Sequence, residues 1–377
     1  MRKSVTVAVI GAGQAGLAVG YYLTRAGIDN VIIDAAPAVG DSWRNRWDTL
    51  RLFTPAKYDS LPGLPFPAPA GSFPTKDQTA AYLQDYAEHH NLRTRLGHRV
   101  DRLRRDGMGF VLTVDNETVH ATYVVVATGA HQTKRVPPIA TGLDETIHQV
   151  HAGDYRNPGQ LRPGPVLVVG AGNSGTELAI EAANAGHQTY LAGKSTGQMP
   201  QVARLFDGWL FWFLATRVFS LDNPIGRKIR PRAQTHGGPL IRLTAKDAKF
   251  AGVESVGRVV ATQNGRPTLA DGRQIEAANV LWSGPRHCLP GRYLTRDTTR
   301  SGSLLMRRQA AAMLVAPCRR WRLTARLRSV AITCGPWPVR IWEWSSAKVT
   351  SRIQCSRFSM DQCPRIASAS SAAVVSS

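Results

Sequence analysis

An apolar strand running into a GxGxxG turn is written twice in this chain, at a constant offset of 159 residues. The first copy reads Val7-Ala8-Val9-Ile10 and then Gly11-Ala12-Gly13-Gln14-Ala15-Gly16. The second reads Val166-Leu167-Val168-Val169 and then Gly170-Ala171-Gly172-Asn173-Ser174-Gly175. Each glycine has its own physical task. The first lets the chain turn off the strand. The second, lacking a side chain, admits a pyrophosphate to the backbone. The third lets the following helix pack closely, with its N-terminal amides and dipole toward the phosphates. One such motif is weak evidence, but two in strand–turn–helix context predict two dinucleotide sites.

The copies diverge where the next strand ends. Twenty-three residues after Gly11 comes Asp34, a carboxylate able to accept from a ribose diol and to repel a 2′-phosphate. Twenty-three residues after Gly170 comes Gly193, followed by Lys194 and Ser195. The first site therefore suits FAD or NAD and the second suits NADP. Lys194 reads equally well as a solvated surface lysine.

A chain of 377 residues can hold two domains. The first strand begins close to Met1, so no signal peptide is expected and the protein is placed in the cytoplasm. The most aromatic apolar run, Trp209 to Ala215, is too short to span a bilayer, so no transmembrane segment is expected. That run reads as a buried helix, with a membrane-docking face or an oily channel as alternatives. The net charge of +21 is uneven: residues 285–377 carry 16 Lys and Arg against three acids. All five cysteines, Cys288, Cys318, Cys334, Cys355 and Cys363, lie in the same stretch, without metal-ligand spacing and without CxxC. No metal site is expected, and the body lacks a redox dithiol.

Strand and helix signals alternate along the body. A proline-rich loop over 55–74 leads into a helix from Thr75 to about His90. Val100, Phe110 and His120 to Val126 alternate as antiparallel strands, ending in the small-residue turn Ala127-Thr128-Gly129. Residues 200–250 read as irregular, and 253–282 as strands with a hairpin turning at Asp271-Gly272. After Trp282 hydrophobic periodicity fades and Arg, Cys, Ser and Trp become frequent.

These motifs, with Gly40-Asp41-Ser42-Trp43, Trp47 to Pro55, Leu61 to Pro67 and Phe73 to Lys76, resemble class B flavoprotein monooxygenases. The resemblance is to the flavin-containing monooxygenase branch, which includes plant indole-pyruvate monooxygenases, and covers about residues 5–282. It implies an α/β fold of two Rossmann-like domains, an FAD domain with an inserted NADPH domain. The expected boundaries are 1–160 for FAD, 161–282 for NADPH, and 283–377 as an aberrant basic tail, poorly ordered.

By resemblance, Gly11, Gly13, Gly16 and Asp34 hold the FAD pyrophosphate and ribose, Trp43 lies along the flavin, and Val100 contacts the adenine. Ala127, Thr128 and Gly129 form a turn beside the flavin. Gly170, Gly172, Asn173, Ser174 and Gly175 hold the NADPH pyrophosphate, and Lys194 the 2′-phosphate. The implied chemistry is hydride transfer from NADPH to FAD, reaction with O₂ to a C4a-hydroperoxide, and oxygen transfer to a small organic substrate. No catalytic acid–base residue is required of the protein. His89, His90, His148 and His151 read as surface or structural.

Three features depart from that pattern. His151 and Tyr155 supply the HxxxY of the family's FxGxxxHxxxY, but Glu145 and Ile147 stand where Phe and Gly belong. Phe53 stands where N-oxidising members carry Asn. The second Ala-Thr-Gly turn after Trp282, and the return to the FAD domain, are missing; the tail reads as frameshifted, against a genuine basic extension for nucleic acid or acidic lipid. No nucleic-acid partner is expected. A reductase without oxygenation and a catalytically impaired remnant are the competing readings. The substrate and the oligomeric state are not encoded in any motif.

Overall fold

The computed structural model describes residues 4–107, 109–129, 134, 136–199, 213 and 239–283. It also describes the backbone of 323–326, 329–334, 337–342 and 373–376. The body is an α/β structure of two units, each a Rossmann-like parallel sheet.

The first unit starts with β1 (Ser4–Ile10), α1 (Gln14–Arg25) and β2 (Asn30–Ile33). β1 is buried at every residue from Val7 to Ile10, as a central parallel strand must be. After the short α2 (Asp41–Arg44), a loop leads to α3 (Lys76–His89) and β3 (Thr94–Arg95). Thr75 starts α3 with a capping box: its side chain accepts from Gln78 N, and Gln78 Oε1 accepts from Thr75 N. The antiparallel meander follows as expected, in β4 (Val100–Asp106), β5 (Gly109–Val114) and β6 (Glu117–Val126). β6 does two jobs. Its start pairs antiparallel with β5, and from His120 onward it runs parallel to β1, giving the order β3-β2-β1-β6. Apolar layers cover both faces of this sheet, one built on α1 and α3 and the other on the meander.

The second unit contains β7 (His148–His151), β8 (Val166–Val169), α4 (Asn173–Asn184) and β9 (Thr189–Ala192). It continues with α5 (Ala245–Phe250), β10 (Glu254–Val256), β11 (Val259–Gln263), β12 (Arg266–Leu269) and β13 (Asn279–Trp282). Its sheet is wholly parallel, in the order β10-β9-β8-β13-β7.

Two expectations change here, and a third is extended. β7 precedes the expected boundary at 160/161, yet pairs with β13 over its whole length and belongs to the second sheet. The chain does turn back on itself at Asp271-Gly272, and a further hairpin, between β11 and β12, turns at Asn264-Gly265, both at positive φ (51° and 74°). Asp271-Gly272 makes the next turn, closed by the Thr268–Gln274 bridge. Within the stretch expected to be irregular, Thr244 caps α5 through Asp247.

In the tail, β14 (Leu323–Arg326), β15 (Ser329–Cys334), β16 (Trp337–Trp342) and β17 (Ala373–Ser376) extend the first sheet, β17 pairing antiparallel with β6. The remainder of 283–377 beyond Ser283, and with it the expectation for how the tail packs, lies outside the described residues. The same holds for the run Trp209 to Ala215, apart from Phe213. No helix among the described residues is long and apolar enough to cross a membrane.

Candidate functional site: two nucleotide cradles

The duplication in sequence is a duplication in space. Gly11 N donates to Ile33 O at 2.7 Å, and Gly170 N donates to Ala192 O at 2.8 Å. Gly11 and Gly170 turn off their strands at φ 109° and 122°, where a side chain would be strained. A Cβ on Gly16 would fall 1.8 Å from Gly11 O, and one on Gly175 would fall 1.7 Å from Gly170 O. Each third glycine therefore lets its helix touch its own turn. The parallel extends to the third strand. Ala127 N donates to Ile10 O at 2.8 Å, and Ser283 N donates to Val169 O at 2.9 Å. Ser283 occupies the slot of Ala127, so the second unit keeps the trace of the first to that point.

Each middle glycine faces open space: a Cβ on Gly13 or on Gly172 would meet nothing within 4 Å. These are also the N-caps of α1 and α4. Neither helix start has a capping side chain, and neither has an acid in its first turn. By contrast, α3 and α5 begin with capping boxes and acids. A helix start with no capping side chain and no acid, beside a side-chain-free gap, suits a diphosphate in both places. The residues thus fit a dinucleotide at each cradle.

The cradles differ on the side where a ribose would lie. Asp34 Oδ2 accepts from Ala12 N at 2.6 Å, and Oδ1 accepts from Ala36 N at 2.8 Å. An ionised carboxylate has about four acceptor positions, so two amides leave room for a diol. In the second unit Gly193 stands at this position with φ 155°, and a Cβ there would lie 2.8 Å from Ala171 N. Ala171 is the counterpart of Ala12. The space the Asp34 carboxylate fills in one cradle is held by bare backbone in the other. Lys194 beside it is exposed.

The other expected residues divide. Ala127 is buried against Gly11, its carbonyl 2.6 Å from where a Gly11 Cβ would be, and Gly129 follows at φ 73°. Trp43 is half-buried and packs against the apolar layers of both units. Val100 is 5% exposed and packs into the meander layer; only the preceding residues border Asp34, through His98 N to Asp34 O at 2.9 Å. Ser174 is exposed in the first turn of α4. The Asn173 side chain is engaged by a later segment: Nδ2 donates to Pro239 O at 3.0 Å, and Oδ1 accepts from Ile241 N at 3.0 Å. Its backbone stands at the first position of α4, next to Gly172. Of the four histidines, His151 is buried with Nδ1 accepting from Gly153 N, and His90 stacks edge-on to Tyr86. Burial, with His89 beside it, lowers the His90 pKa.

Sequence reasoning missed a hook that joins the units. Trp47, Leu50 and Leu52 leave the first unit and pack into the second unit's layer with Leu178, Ala179 and Ala182 of α4. Around them Asp48 N donates to Arg156 O at 2.7 Å, and Asn157 Nδ2 donates to Asp48 Oδ2 at 2.8 Å. Thr49 Oγ1 donates to Glu181 Oε1 at 2.9 Å. Burial raises the pKa of both Glu177 and Glu181, Arg242 opposing it at Glu177 and the Thr49 hydroxyl at Glu181. In the loop that follows, Asp59 is 2% exposed; Thr54 Oγ1 donates to its Oδ1, and Oδ2 has no partner among the described residues. Burial pushes the Asp59 carboxyl up to about 8, the Thr54 hydroxyl pulling the other way. No group of three or more metal-ligating side chains occurs among the described residues.

Residues 8–207 match the family model described as pyridine nucleotide-disulphide oxidoreductase. The chain belongs to this family. An uncharacterized CzcO-like oxidoreductase of Geobacillus kaustophilus is 35% identical over 75% of the chain and 81% of its own length. A probable indole-3-pyruvate monooxygenase, YUCCA3 of Arabidopsis thaliana, is 30% identical over 72% of the chain and 71% of its own. The flavin-containing monooxygenase of Stenotrophomonas maltophilia superposes with a TM-score of 0.63 at 27% identity, covering 78% of this chain and 81% of that one. This oxidoreductase is therefore a class B flavin-containing monooxygenase-like protein, and membership implies use of a flavin and a nicotinamide cofactor.

Proposed function

We propose that this oxidoreductase is an FAD-dependent, NADPH-using monooxygenase that transfers one oxygen atom of O₂ to a small organic substrate. The observation that carries the reading is the asymmetry between the cradles. One presents the Asp34 carboxylate to a ribose; the other presents bare backbone at Gly193 with Lys194 alongside.

In the first cradle Gly11, Gly13 and Gly16 bring the amides of α1 to the FAD diphosphate, and Asp34 accepts from the ribose. Val100 borders the adenine by its backbone. Trp43, Ala127, Thr128 and Gly129 flank the flavin side. In the second cradle Gly170, Gly172, Gly175 and the backbone of Asn173 and Ser174 receive the NADPH diphosphate. No carboxylate at Gly193 repels a 2′-phosphate, and the exposed Lys194 beside it supplies the counter-charge. When bound, the flavin supplies hydride acceptance, activation of O₂ and oxygen transfer. The protein's own residues bind, orient and exclude water. No side-chain acid–base pair is needed for such chemistry, and none is assigned. The expected domain division, with its boundary moved to include β7 in the NADPH unit, serves this arrangement.

Absorbance of the purified protein tests the flavin. NADPH-dependent oxygen uptake, with and without amines, sulfides and ketones, tests the reaction. Substrate-independent NADPH oxidation passing electrons to a quinone, with no oxygenated product, would instead establish a reductase.

A further inference from the structure

The polar side chains of α4 follow a spacing that the cradle does not require. Asn173, Glu177 and Glu181 stand at i, i+4 and i+8 and so share one face of the helix. That face begins at the nucleotide end of α4 and runs back toward the hook of the first unit. Each of the three is engaged. Asn173 clamps the backbone of Pro239 and Ile241. Glu177 pairs with Arg242 at 2.5 Å and accepts from Arg51 N at 3.4 Å. Glu181 accepts from Thr49 Oγ1, and the Tyr155 hydroxyl lies beside it. Tyr155, the last residue of HxxxY, is fully buried, and burial followed by the Glu181 charge raises its pKa.

We infer that Glu181 is a positioning residue that sets the register of the nicotinamide unit against the flavin unit by holding Thr49 on the hook. The inference rests on the proposed use of NADPH and FAD.

The physical case is one of stiffness. α4 carries the second cradle at its N-terminus, so any rocking of the helix against the hook moves the nucleotide. The apolar contact of Trp47, Leu50 and Leu52 with α4 is non-directional and tolerates sliding. The hydrogen bond from Thr49 Oγ1 to Glu181 Oε1 is directional. Glu181 meets the hook two turns from the cradle, while Glu177 meets it one turn away. Two fixed points along one axis define an orientation, which one point cannot. Hydride transfer needs reacting atoms about 3–3.5 Å apart, so a tilt of the helix is felt in rate before it is felt in affinity.

Three variants of the full chain test this: Glu181→Ala, Glu181→Gln and Thr49→Val. Anaerobic flavin reduction by NADPH is followed by stopped flow, NADP⁺ affinity by calorimetry, and amide exchange by mass spectrometry over 47–52 and 173–184. Glu181→Ala and Thr49→Val should slow reduction about tenfold, in keeping with a misplaced reactant. Exchange in 47–52 should rise, while flavin content and NADP⁺ affinity stay within twofold of wild type. Glu181→Gln, whose amide oxygen still accepts from Thr49, should restore most of the rate and the protection. Wild-type reduction and exchange in Glu181→Ala would overturn the inference. So would a loss of NADP⁺ affinity or flavin in step with the rate, which would mark mere structural support. A wild-type protein that NADPH does not reduce would defeat the functional reading, and the exchange data would still decide whether Glu181 holds the hook.

Discussion

The two cradles share a skeleton down to individual hydrogen bonds, and they part company at one residue. Both turn off the strand at a glycine of similar φ, both seat the helix against the turn with a glycine, and both leave the middle glycine open. Then Asp34 reaches across to Ala12 N, while at the matching position Gly193 passes so close to Ala171 N that no side chain fits. The backbone conformation decides which chemistry each cradle can present. The missing acid is a consequence of a chain trace that only glycine follows easily, and not a simple exchange of one side chain for another.

The sharpest way to break the comparison is at the third glycines, where the units are equivalent. Gly16→Ala and Gly175→Ala each place a Cβ against a carbonyl, a clash on the order of 3 kcal/mol or more. Gly16→Ala should yield colourless protein. Gly175→Ala should keep its flavin and lose NADP⁺ binding by more than about a hundredfold. Loss of flavin in both variants would show that the cradles are not independent.

Next in size is the acid. Asp34→Ala removes a charged acceptor for the ribose, worth about 1.5–3 kcal/mol, so flavin affinity should fall roughly ten- to hundredfold. Asp34→Asn, which turns an amide NH₂ toward the N–H of Ala12 or Ala36, should lose at least as much. Unchanged flavin retention in Asp34→Ala would place the cofactor elsewhere.

Gly193→Asp attempts to turn the second cradle into the first. Because the position is strained for any side chain, the expected result is no gain for NADH. KM for both coenzymes should rise about tenfold, for a strain on the order of 1–3 kcal/mol. A clean switch to NADH in steady-state kinetics would show that the trace yields easily. The smallest effect belongs to Lys194→Ala. An exposed cation contributes little, so KM for NADPH should rise about two- to fivefold with that for NADH unmoved.

The glycine skeleton, Asp34 and the meander were legible because each is a local pattern with a local cause. β7 was not, because four residues after a loop carry no sign of which sheet they join; only pairing with β13, more than a hundred residues later, decides it. Asn264-Gly265 and Asp271-Gly272 have similar turn chemistry, and both close antiparallel turns. The hook was hidden for a deeper reason. Acids at i and i+4 on a helix ordinarily mark a solvated face, and nothing near Glu177 or Glu181 says that Thr49 and Arg51 will cover them. The motif places Asn173 beside the diphosphate but says nothing of its carboxamide, which spans Pro239 and Ile241.

Asp59 carries a consequence for the whole molecule. Its carboxyl has an ordinary value of 3.8 and is pushed up to about 8 by burial. The unfolded chain gives up this proton near pH 4, whereas the folded chain keeps it to about pH 8. Between those limits folding takes a proton from solution. The stability tied to this group is full below pH 4, declines as pH rises through the neutral range, and is gone above pH 8. Folding and acidity are thereby coupled in a chain whose net charge is strongly positive. Mild alkalinisation, which also lowers that positive charge, puts a buried anion inside the loop that leads out of the hook.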